Sequence, residues 1–367
     1  MIRRCFGLVG NFNESHKNKK AHWQRQMGLS LPCVRGERDE NDIDDGANVK
    51  IQKASSRRGN HGLTLYGIQC PRGLLGAHLT LTHFRLLRAI GHGCASTVFE
   101  AIHLTSGTAC VIKICMKTRL HRDEEHRFRR EMNIHSALNH RNILRFYASF
   151  EDFQAFYIVM EQAEKGDLLN YIRRKYRGTM PLDVLRVRVL EPLLQALNYL
   201  HKQSVIHRDV KPENILVARD GTIKLCDFGF SINSYDERPK SYVGTLEYMA
   251  PEILEKKTHL FSEKLDIWSV GVLTYECLIG VSPFHMGNEK DIVAAILEGK
   301  YFLPSVLTSE VVAFLKHCLH PNPEQRYSAK ELLFIMKGGR DRGPAGDGAA
   351  IRANVNVQPR RQRAFSV

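Results

Sequence analysis

The spacing of apolar residues between positions 84 and 161 predicts a small, mainly antiparallel sheet. Short runs rich in β-branched and aromatic residues are typical of strands, and Ser106-Gly107 provides a turn between two of them. The predicted strands cover residues 84–90, 98–103, 110–116, 146–150 and 156–161. A charge-dense stretch, residues 122–138, instead predicts one helix that accompanies the sheet.

Beyond Gly166 the apolar residues recur at helical spacing, which predicts a mainly helical second part. The clearest series is Leu185, Val189, Leu193, Leu194, Leu197 and Leu200. Pro192 lies inside this series, where a proline should cost about 3 kcal/mol or kink the helix. Further helices are predicted at residues 261–280, 290–298, 309–318 and 329–336.

The two ends of the chain lack sustained periodicity, and we expect both to be disordered. The predicted organisation is a basic extension (1–83), a folded region (84–337, with a sheet part at 84–161 and a helical part at 166–337) and a basic tail (338–367). Lysine and arginine crowd both ends and contribute to the net charge of +14. Such charge can indicate contact with nucleic acid, but solvated tails are the favoured explanation, and no nucleic-acid-reading motif accompanies the charge.

Hydropathy and cysteine usage limit the location of the protein. No run of about 18 apolar residues is present, so we expect no membrane-spanning segment. The nine cysteines are scattered without a CxxC pair, which favours reduced thiols and therefore a cytosolic or nuclear setting.

The candidate chemistry is concentrated between residues 207 and 229. The segment His207-Arg208-Asp209-Val210-Lys211-Pro212-Glu213-Asn214 is followed by Asp227-Phe228-Gly229. This set suits phosphoryl transfer, which requires an oriented hydroxyl, bound metal ions and neutralised phosphate charge. Asp209 is the candidate base and Lys211 can reach the transferring phosphate. Asn214 and Asp227 offer the oxygen ligands that Mg²⁺ prefers.

Residues upstream of this segment complete the candidate site. Gly91 and Gly93 let backbone amides approach phosphates, and they begin a G-x-G-x-x-G-x-V pattern in which Ser96 replaces the third glycine and Val98 ends the motif. Lys113 is flanked by apolar residues in a predicted strand, so it needs an anionic partner. Nucleotide phosphates and Glu131 are the candidates.

Downstream residues are expected to support the site. Thr245 is placed to hydrogen-bond Asp209 and Lys211. We expect Glu252 to be partly buried and paired with Arg326, and Asp266 and Trp268 to anchor the catalytic segment from beneath.

On these motifs, residues 84–336 resemble a eukaryotic serine/threonine protein kinase over a complete catalytic domain. The resemblance implies an α+β, bilobal protein kinase fold with ATP in the cleft between a small antiparallel-sheet N-lobe and a mainly helical C-lobe. It also implies an adenine pocket formed by backbone groups near Glu161 and Ala163, with Met160 at its rear. Asp167 is a candidate for bonding the ATP ribose, or for contacting a peptide.

Within this family the chain looks most like the Aurora group, with two departures from its usual pattern. Phe230 stands where that group usually has tryptophan, and Ala250 where it usually has proline. The residues that carry the likeness are Asn142-Ile143-Leu144-Arg145-Phe146-Tyr147, Val205-Ile206-His207-Arg208-Asp209 and Gly244-Thr245-Leu246-Glu247-Tyr248.

Regulation and substrate preference follow as expectations. Ser241 aligns with the activation-segment phosphosite of such kinases, and a phosphate there could pair with Arg208. Glu164, Asp167 and Glu213 could line the cleft and favour protein substrates with arginine before the Ser or Thr acceptor. The resemblance also implies an activating protein partner and a spindle or cytoskeletal location.

Two other functions remain open from the sequence. One is a catalytically inactive kinase fold that serves as a scaffold, although the lysine, the base and the metal ligands are all retained. The other is a kinase of a different Ser/Thr group whose basic tails bind nucleic acid.

Overall fold

The structure is a computed structural model that describes residues 64–76, 78–93, 95–234, 245–257, 261–340 and 343. A six-stranded antiparallel sheet with the order β1-β5-β6-β4-β3-β2 forms the first part. One α-helix, α1 (Arg122–Ser136), accompanies this sheet. The strands are β1 (Leu65–Tyr66), β2 (Phe84–His92), β3 (Ser96–His103), β4 (Ala109–Met116), β5 (Phe146–Glu151) and β6 (Ala155–Met160).

The sheet and α1 share an apolar core. Phe128 and Met132 of α1 pack with Val111 of β4 and with Phe156 and Ile158 of β6. Every residue of β6 is buried, as expected for a strand hydrogen-bonded to neighbours on both sides, β4 and β5. This packing gives β4 and α1 a common interior, and these two elements carry Lys113 and Glu131.

The beginning of the folded region was predicted wrongly. Residues 64–83 were assigned to a disordered extension, but Leu65–Tyr66 forms β1 and pairs with the edge of β5. Leu74 and Leu79 are buried as well. A two-residue strand is too short to produce a detectable period, and for this reason the pattern of apolar residues did not reveal it.

The second part is mainly helical and packs around a buried central helix. Its core includes Trp268, Leu193, Leu273 and Phe284, all fully buried. The helices are α2 (Leu168–Tyr176), α3 (Leu182–Leu185), α4 (Glu191–Lys202), α5 (Pro251–Leu254), α6 (Lys264–Ile279), α7 (Glu289–Glu298), α8 (Ser309–Cys318) and α9 (Ala329–Met336). Short strand pairs join β7 (Val205–Ile206) to β10 (Ile232–Asn233), and β8 (Ile215–Val217) to β9 (Ile223–Leu225). The expected α+β bilobal kinase fold is therefore confirmed.

The structure explains how Pro192 is tolerated. The residues between α3 and α4, Arg186–Leu190, form a π-helix, in which the N–H of Glu191 bonds to the carbonyl of Arg186. Pro192 then lies in the first turn of α4. A π-turn changes which backbone groups pair along the helix. Pro192, which has no N–H, therefore lies where the regular helical hydrogen bonds are already interrupted.

Two further observations bear on the expectations from the sequence. Of the helices in the described ranges, none is both long enough and apolar enough to cross a membrane. The described cysteines Cys70, Cys110, Cys115, Cys226, Cys277 and Cys318 are free thiols.

Candidate active site

Asp266 holds the loop that carries Asp209. It lies in α6, is fully buried, and accepts hydrogen bonds from the backbone N–H groups of His207 at 3.0 Å and Arg208 at 2.8 Å. The Nε2 atom of His201 lies 2.9 Å from the same carboxylate. Burial alone would raise the pKa of Asp266, but these donors lower it, so the carboxylate stays ionised and keeps its loop partners.

Asp209 lies at the centre of a hydrogen-bonded group. Asn214 Nδ2 donates to the Asp209 carboxylate at 2.7 Å and to its backbone carbonyl at 2.8 Å. The ammonium of Lys211 lies 2.9 Å from the carboxylate and 3.2 Å from the hydroxyl of Thr245. Thr245 therefore reaches Asp209 through Lys211. The group orients the carboxylate while leaving it beside a small cavity that Thr245 also lines.

A second charged group joins the two parts of the fold. Lys113 Nζ of β4 lies 2.7 Å from Glu131 of α1 and 3.3 Å from Asp227, which follows β9. Burial alone would lower the pKa of Lys113, but the charges of Asp227 and Glu131 raise it above its ordinary value. The Lys113 charge in turn lowers the pKa of Asp227 against the effect of burial. The lysine thus stays cationic and Asp227 anionic.

Phe228 anchors the neighbouring Asp227. The sequence had indicated Phe228 only as the middle residue of Asp227-Phe228-Gly229, without a role of its own. Its ring is fully buried between His207, at 5.0 Å between centroids, and His135, at 4.6 Å. His135 lies in the last turn of α1, and its Nε2 is 2.6 Å from the carbonyl oxygen of Leu144. His135 was not among the residues expected from the sequence, although helical spacing places it one turn after Glu131 on the same face.

The glycine loop is the turn of the β2–β3 hairpin. Gly91 pairs with Val98 in register, and the N–H of Gly93 donates to the carbonyl of Ser96 at 2.8 Å. A Cβ at Gly93 would lie only 3.0 Å from the Ser96 hydroxyl. A tight backbone contact therefore closes the loop. Ser96 fits because Gly93, which lies opposite it in the turn, has no side chain.

Apolar side chains from both parts of the fold surround the expected adenine site. Val98, Ala163, Leu216 and Cys226 are partly buried against the core cluster that contains Met160. Leu216 was missed, although its strand offered a signal. Ile215 and Val217 on either side are buried, so the alternation in β8 places Leu216 on the opposite face.

Two predicted nucleotide ligands use their side chains elsewhere. The Glu161 carboxylate lies 3.1 Å from Lys224 and accepts the backbone N–H of Arg145 at 3.1 Å. Its own N–H donates to the Arg145 carbonyl at 2.9 Å, which leaves the Glu161 carbonyl for a nucleotide. The Asp167 carboxylate caps α2 by accepting the N–H and the amide of Asn170, each at 2.8 Å. A contact between Asp167 and ribose would therefore have to share an occupied carboxylate.

Asn214 and Asp227 could hold one Mg²⁺ ion only if phosphate and water oxygens completed its coordination. Among the residues that the structure describes, no group of three or more His, Cys, Asp or Glu side chains is arranged to hold a metal. The backbone carbonyl of Asn214 accepts the N–H of Cys226 at 2.9 Å, so the backbone of Asn214 lies beside the residue that precedes Asp227. One carboxylate and one amide oxygen leave the remaining positions to water and phosphate oxygens, which is the usual coordination of Mg²⁺.

Glu252 and Arg326 form the buried pair that the sequence suggested. The two N–O distances are 2.7 and 2.6 Å, and both side chains are buried. The expectation for Trp268 was wrong in detail. Its ring stacks on Phe284 at 5.5 Å and lies 5.0 Å from the Arg326 guanidinium, so it supports this ion pair, whereas Asp266 contacts the catalytic loop.

A carboxylate on α6 was not anticipated. Glu276 accepts a hydrogen bond from the Tyr248 hydroxyl at 2.5 Å and lines a cavity of about 70 Å³ with Pro212. Burial raises the pKa of Glu276, and the charges of Glu213 and Glu247 raise it further, whereas the Tyr248 hydrogen bond and the charge of Arg173 lower it. Glu276 is distant in sequence from Glu213, so only the folded chain reveals that the charge of Glu213 acts on Glu276.

The predicted peptide-facing carboxylates do not form a single group. Glu164 accepts the backbone N–H of Arg219 at 2.9 Å, and Asp167 caps α2. Glu213 is exposed, and its charge acts on Glu276 rather than on Glu164 or Asp167 in the interactions observed. Ser241, the expected phosphosite, lies outside the described residues.

The fold and the paired charged groups define a protein kinase, and the protein kinase domain family matches residues 84–334. An Aurora kinase of Schizosaccharomyces pombe is 33% identical over 316 residues, which cover 84% of this chain and 87% of the relative. Aurora kinase C of Mus musculus is 33% identical over 258 residues (70% and 91%), and Aurora kinase B of the same species is 34% identical over 255 residues (69% and 72%). The chain therefore belongs to the Aurora group of serine/threonine protein kinases.

Proposed function

We propose that this protein transfers the γ-phosphate of ATP to serine or threonine hydroxyls of protein substrates through the residues described above. The single observation that carries the proposal is the joint placement of two charged groups. Lys113 contacts both Glu131 and Asp227, and Lys211 contacts both Asp209 and Thr245. An active phosphotransferase needs both arrangements at once.

Each group has a distinct role in this proposal. Asp209 orients the substrate hydroxyl and accepts its proton. Lys211 neutralises phosphate charge, and Thr245 holds the Lys211 ammonium in place through their 3.2 Å contact. Lys113, kept in position by Glu131, binds the nucleotide phosphates. Preorganised charges of this kind stabilise the transition state without reorganising during the reaction.

For Mg²⁺ we propose Asn214 and Asp227 as the protein ligands. The lowered pKa of Asp227 favours this role, because Lys113 keeps the carboxylate ionised and ready to bind a cation. Bound Mg²⁺ would neutralise the charge that develops on the phosphate oxygens.

The inactive-scaffold alternative has less support. Such a protein would be expected to lack the lysine, the base or a metal ligand, or to hold them apart. Here Lys113, Asp209, Asn214 and Asp227 are all present, and ion pairs or hydrogen bonds connect each of them to another member of the site. Nucleic-acid binding by the basic ends has no support from the described residues, because most of both ends lies outside them.

We propose a preference for substrates with arginine before the acceptor, based on Glu213 and Glu276. Burial raises the pKa of Glu276, and the charge of Glu213 adds to this, against the hydrogen bond from Tyr248 and the charge of Arg173. A substrate guanidinium would relieve the repulsion and form charge-assisted hydrogen bonds, each worth about 1.5–3 kcal/mol.

A peptide-library assay tests activity and preference together. With γ-labelled ATP and Mg²⁺, wild-type enzyme should phosphorylate arginine-containing peptides at least about tenfold faster than acidic ones. Glu276→Gln should reduce this ratio, while Glu298→Gln, an exposed carboxylate paired with Lys300, should preserve it. Equal rates on acidic and basic peptides would reject the preference, and absence of transfer to any peptide would reject the kinase activity itself.

Phosphorylation of Ser241 is proposed to activate the enzyme. A phosphate at this position would place negative charge near Arg208 and could form an ion pair with it. The Arg208 guanidinium is buried and donates to the carbonyl of Phe230 at 3.5 Å. A bond between this phosphate and Arg208 would tie the chain before Thr245 to the catalytic loop and so stabilise the contact between Thr245 and Lys211.

The test compares variants after phosphatase treatment and renewed incubation with Mg²⁺ and ATP. Ser241→Ala should turn over at least about tenfold more slowly than wild type, because it cannot form the charge-assisted bonds. Ser234→Ala, which alters an exposed serine that bonds the Ser204 carbonyl, is the matched control. Undiminished turnover of Ser241→Ala would show that activation does not depend on this residue.

Partners and location are proposed from group membership. We infer that an activating protein partner exists and that the enzyme works in the cytoplasm or nucleus, at the spindle or cytoskeleton during cell division.

A further inference from the structure

A short segment before the family domain is built into the N-lobe. We name residues 64–70 the N-terminal brace; they precede the residues matched by the kinase family, which begin at 84. Leu65 and Tyr66 pair with Ser149 and Ala148 on the edge of β5. Leu65 also packs against the core cluster that includes residues of α1. The brace therefore extends the sheet by one strand.

The brace is also bonded to the end of α1. Gly67 donates its N–H to the carbonyl of Tyr147 at 2.9 Å, and Ile68 donates to the carbonyl of Ser136 at 3.2 Å. Ser136 is the last residue of α1. Consecutive backbone amides thus connect the sheet edge to the helix terminus, where helix carbonyls otherwise lack partners.

A side-chain connection continues beyond the helix. The Gln69 amide bonds to Asn139, and the backbone N–H of Asn139 donates to the Tyr199 hydroxyl of α4 at 2.7 Å. The brace, the loop after α1 and the helical lobe therefore form one hydrogen-bonded series.

Gly67 makes this close approach feasible. A Cβ at this position would overlap the carbonyl oxygen of Phe146 and lie 2.9 Å from its ring atom Cδ1. The obstacle includes backbone of β5, which cannot move aside cheaply. An alanine at position 67 should therefore separate the brace from the sheet. Gly76 offers the contrasting case, because a Cβ there would meet nothing within 4 Å.

The end of α1 that the brace contacts also reaches the active site. His135, next to Ser136, packs on Phe228 at 4.6 Å, and Glu131 of the same helix pairs with Lys113 at 2.7 Å. A shift of α1 would disturb both contacts. Displacement of about 1 Å in a positioning element can cost up to about a hundredfold in rate.

We propose that the N-terminal brace is a positioning element that holds α1 so that Glu131 stays on Lys113, with Gly67 as its main positioning residue. The brace acts within the chain and lies outside the family domain, so this enzyme supplies part of its own helix support. The expected effect on reaction rate rests on the kinase function proposed above, whereas the expected effect on the position of α1 does not.

The test compares full-length Gly67→Ala with Gly76→Ala in steady-state kinetics and amide hydrogen exchange. Gly67→Ala should lower kcat about tenfold with an unchanged KM for peptide. Exchange in α1 should rise at least about tenfold, whereas exchange in α6 should stay as in wild type. Gly76→Ala should match wild type in every measurement.

Each alternative result has a defined meaning. A wild-type kcat and unchanged α1 exchange in Gly67→Ala would overturn the proposal, as would an equal rise in α1 and α6, which would indicate general destabilisation. If Gly67→Ala does not fold, Gln69→Ala takes its place with an expected fall in kcat of about threefold, and a wild-type kcat there overturns the proposal. An inactive wild-type enzyme would refute the kinase function, while α1 exchange would still decide the role of the brace.

Discussion

Asp209→Asn is expected to lower kcat by about 10³-fold while leaving nucleotide affinity unchanged. The substitution is nearly isosteric and keeps an oxygen that can accept the Asn214 hydrogen bond, now 2.7 Å long. It removes the negative charge that Lys211 contacts at 2.9 Å and the group that accepts the hydroxyl proton. General-base catalysis typically contributes about 10²–10⁴-fold, and the loss should fall within this range.

The measurement is single-turnover transfer from γ-labelled ATP to a preferred peptide, with nucleotide affinity determined separately by titration. Asp220→Asn is the matched control, since Asp220 is exposed in a turn and bonds only locally to Thr222 in the contacts observed. The control should turn over like wild type. If Asp209→Asn retained wild-type turnover, Asp209 would not be the base, and a loss of nucleotide affinity would indicate a disturbed cleft.

Motif spacing was sufficient to predict the charged centre of the site. Lys113, Asp209 and Asp227 have residue types and separations that phosphoryl transfer demands, and few other functions would retain them together. The change of apolar period near Gly166 predicted a sheet part followed by a helical part, and the resemblance to protein kinases implied the bilobal fold. These features are predictable because chemistry and periodicity constrain sequence directly.

Other contacts depend on the folded chain and leave little local trace. Glu276 bonds Tyr248 and is affected by the charge of Glu213 only because the fold brings α6 to the catalytic segment, which Asp266 of the same helix contacts. His135 has the spacing of an ordinary core residue, and burial lowers its pKa to about 4, so it packs on Phe228 as a neutral ring. Such pairs cannot be predicted from the spacing of residues along the chain, because apolar periodicity relates residues only within one helix or strand.

Local rules also failed where the backbone departs from standard geometry. Pro192 appeared to interrupt a helix, but the π-turn before it changes the hydrogen-bond register. β1 was missed because its Leu65 and Tyr66 gain stability from the β5 edge rather than from their own pattern. In both cases tertiary context outweighs local propensity.

Arg326→Met is expected to destabilise the helical lobe by about 3–5 kcal/mol. Arg326 is fully buried and donates to both Glu252 oxygens and to the carbonyls of His320, Pro321 and Lys264. Methionine matches much of the volume but none of the donors. Glu252 would then be an uncompensated buried charge, and the carbonyls would lose a partner, which is the expensive part of breaking a buried pair.

The double variant Glu252→Gln/Arg326→Met separates these two contributions. Glutamine removes the stranded charge, so the double variant should be more stable than Arg326→Met alone, even though it carries one more substitution. Urea unfolding followed by helical circular dichroism measures both, with Arg88→Met as the control. Arg88 pairs with Glu100 at 2.6 Å but its side chain is 75% exposed, so water screens the pair and its loss should lower stability far less than the loss of Arg326. Two results would contradict this prediction: a loss of stability in Arg326→Met as small as in the control, or a double variant less stable than Arg326→Met. Either would show that the buried ion pair does not stabilise the helical lobe in the way argued from its charge.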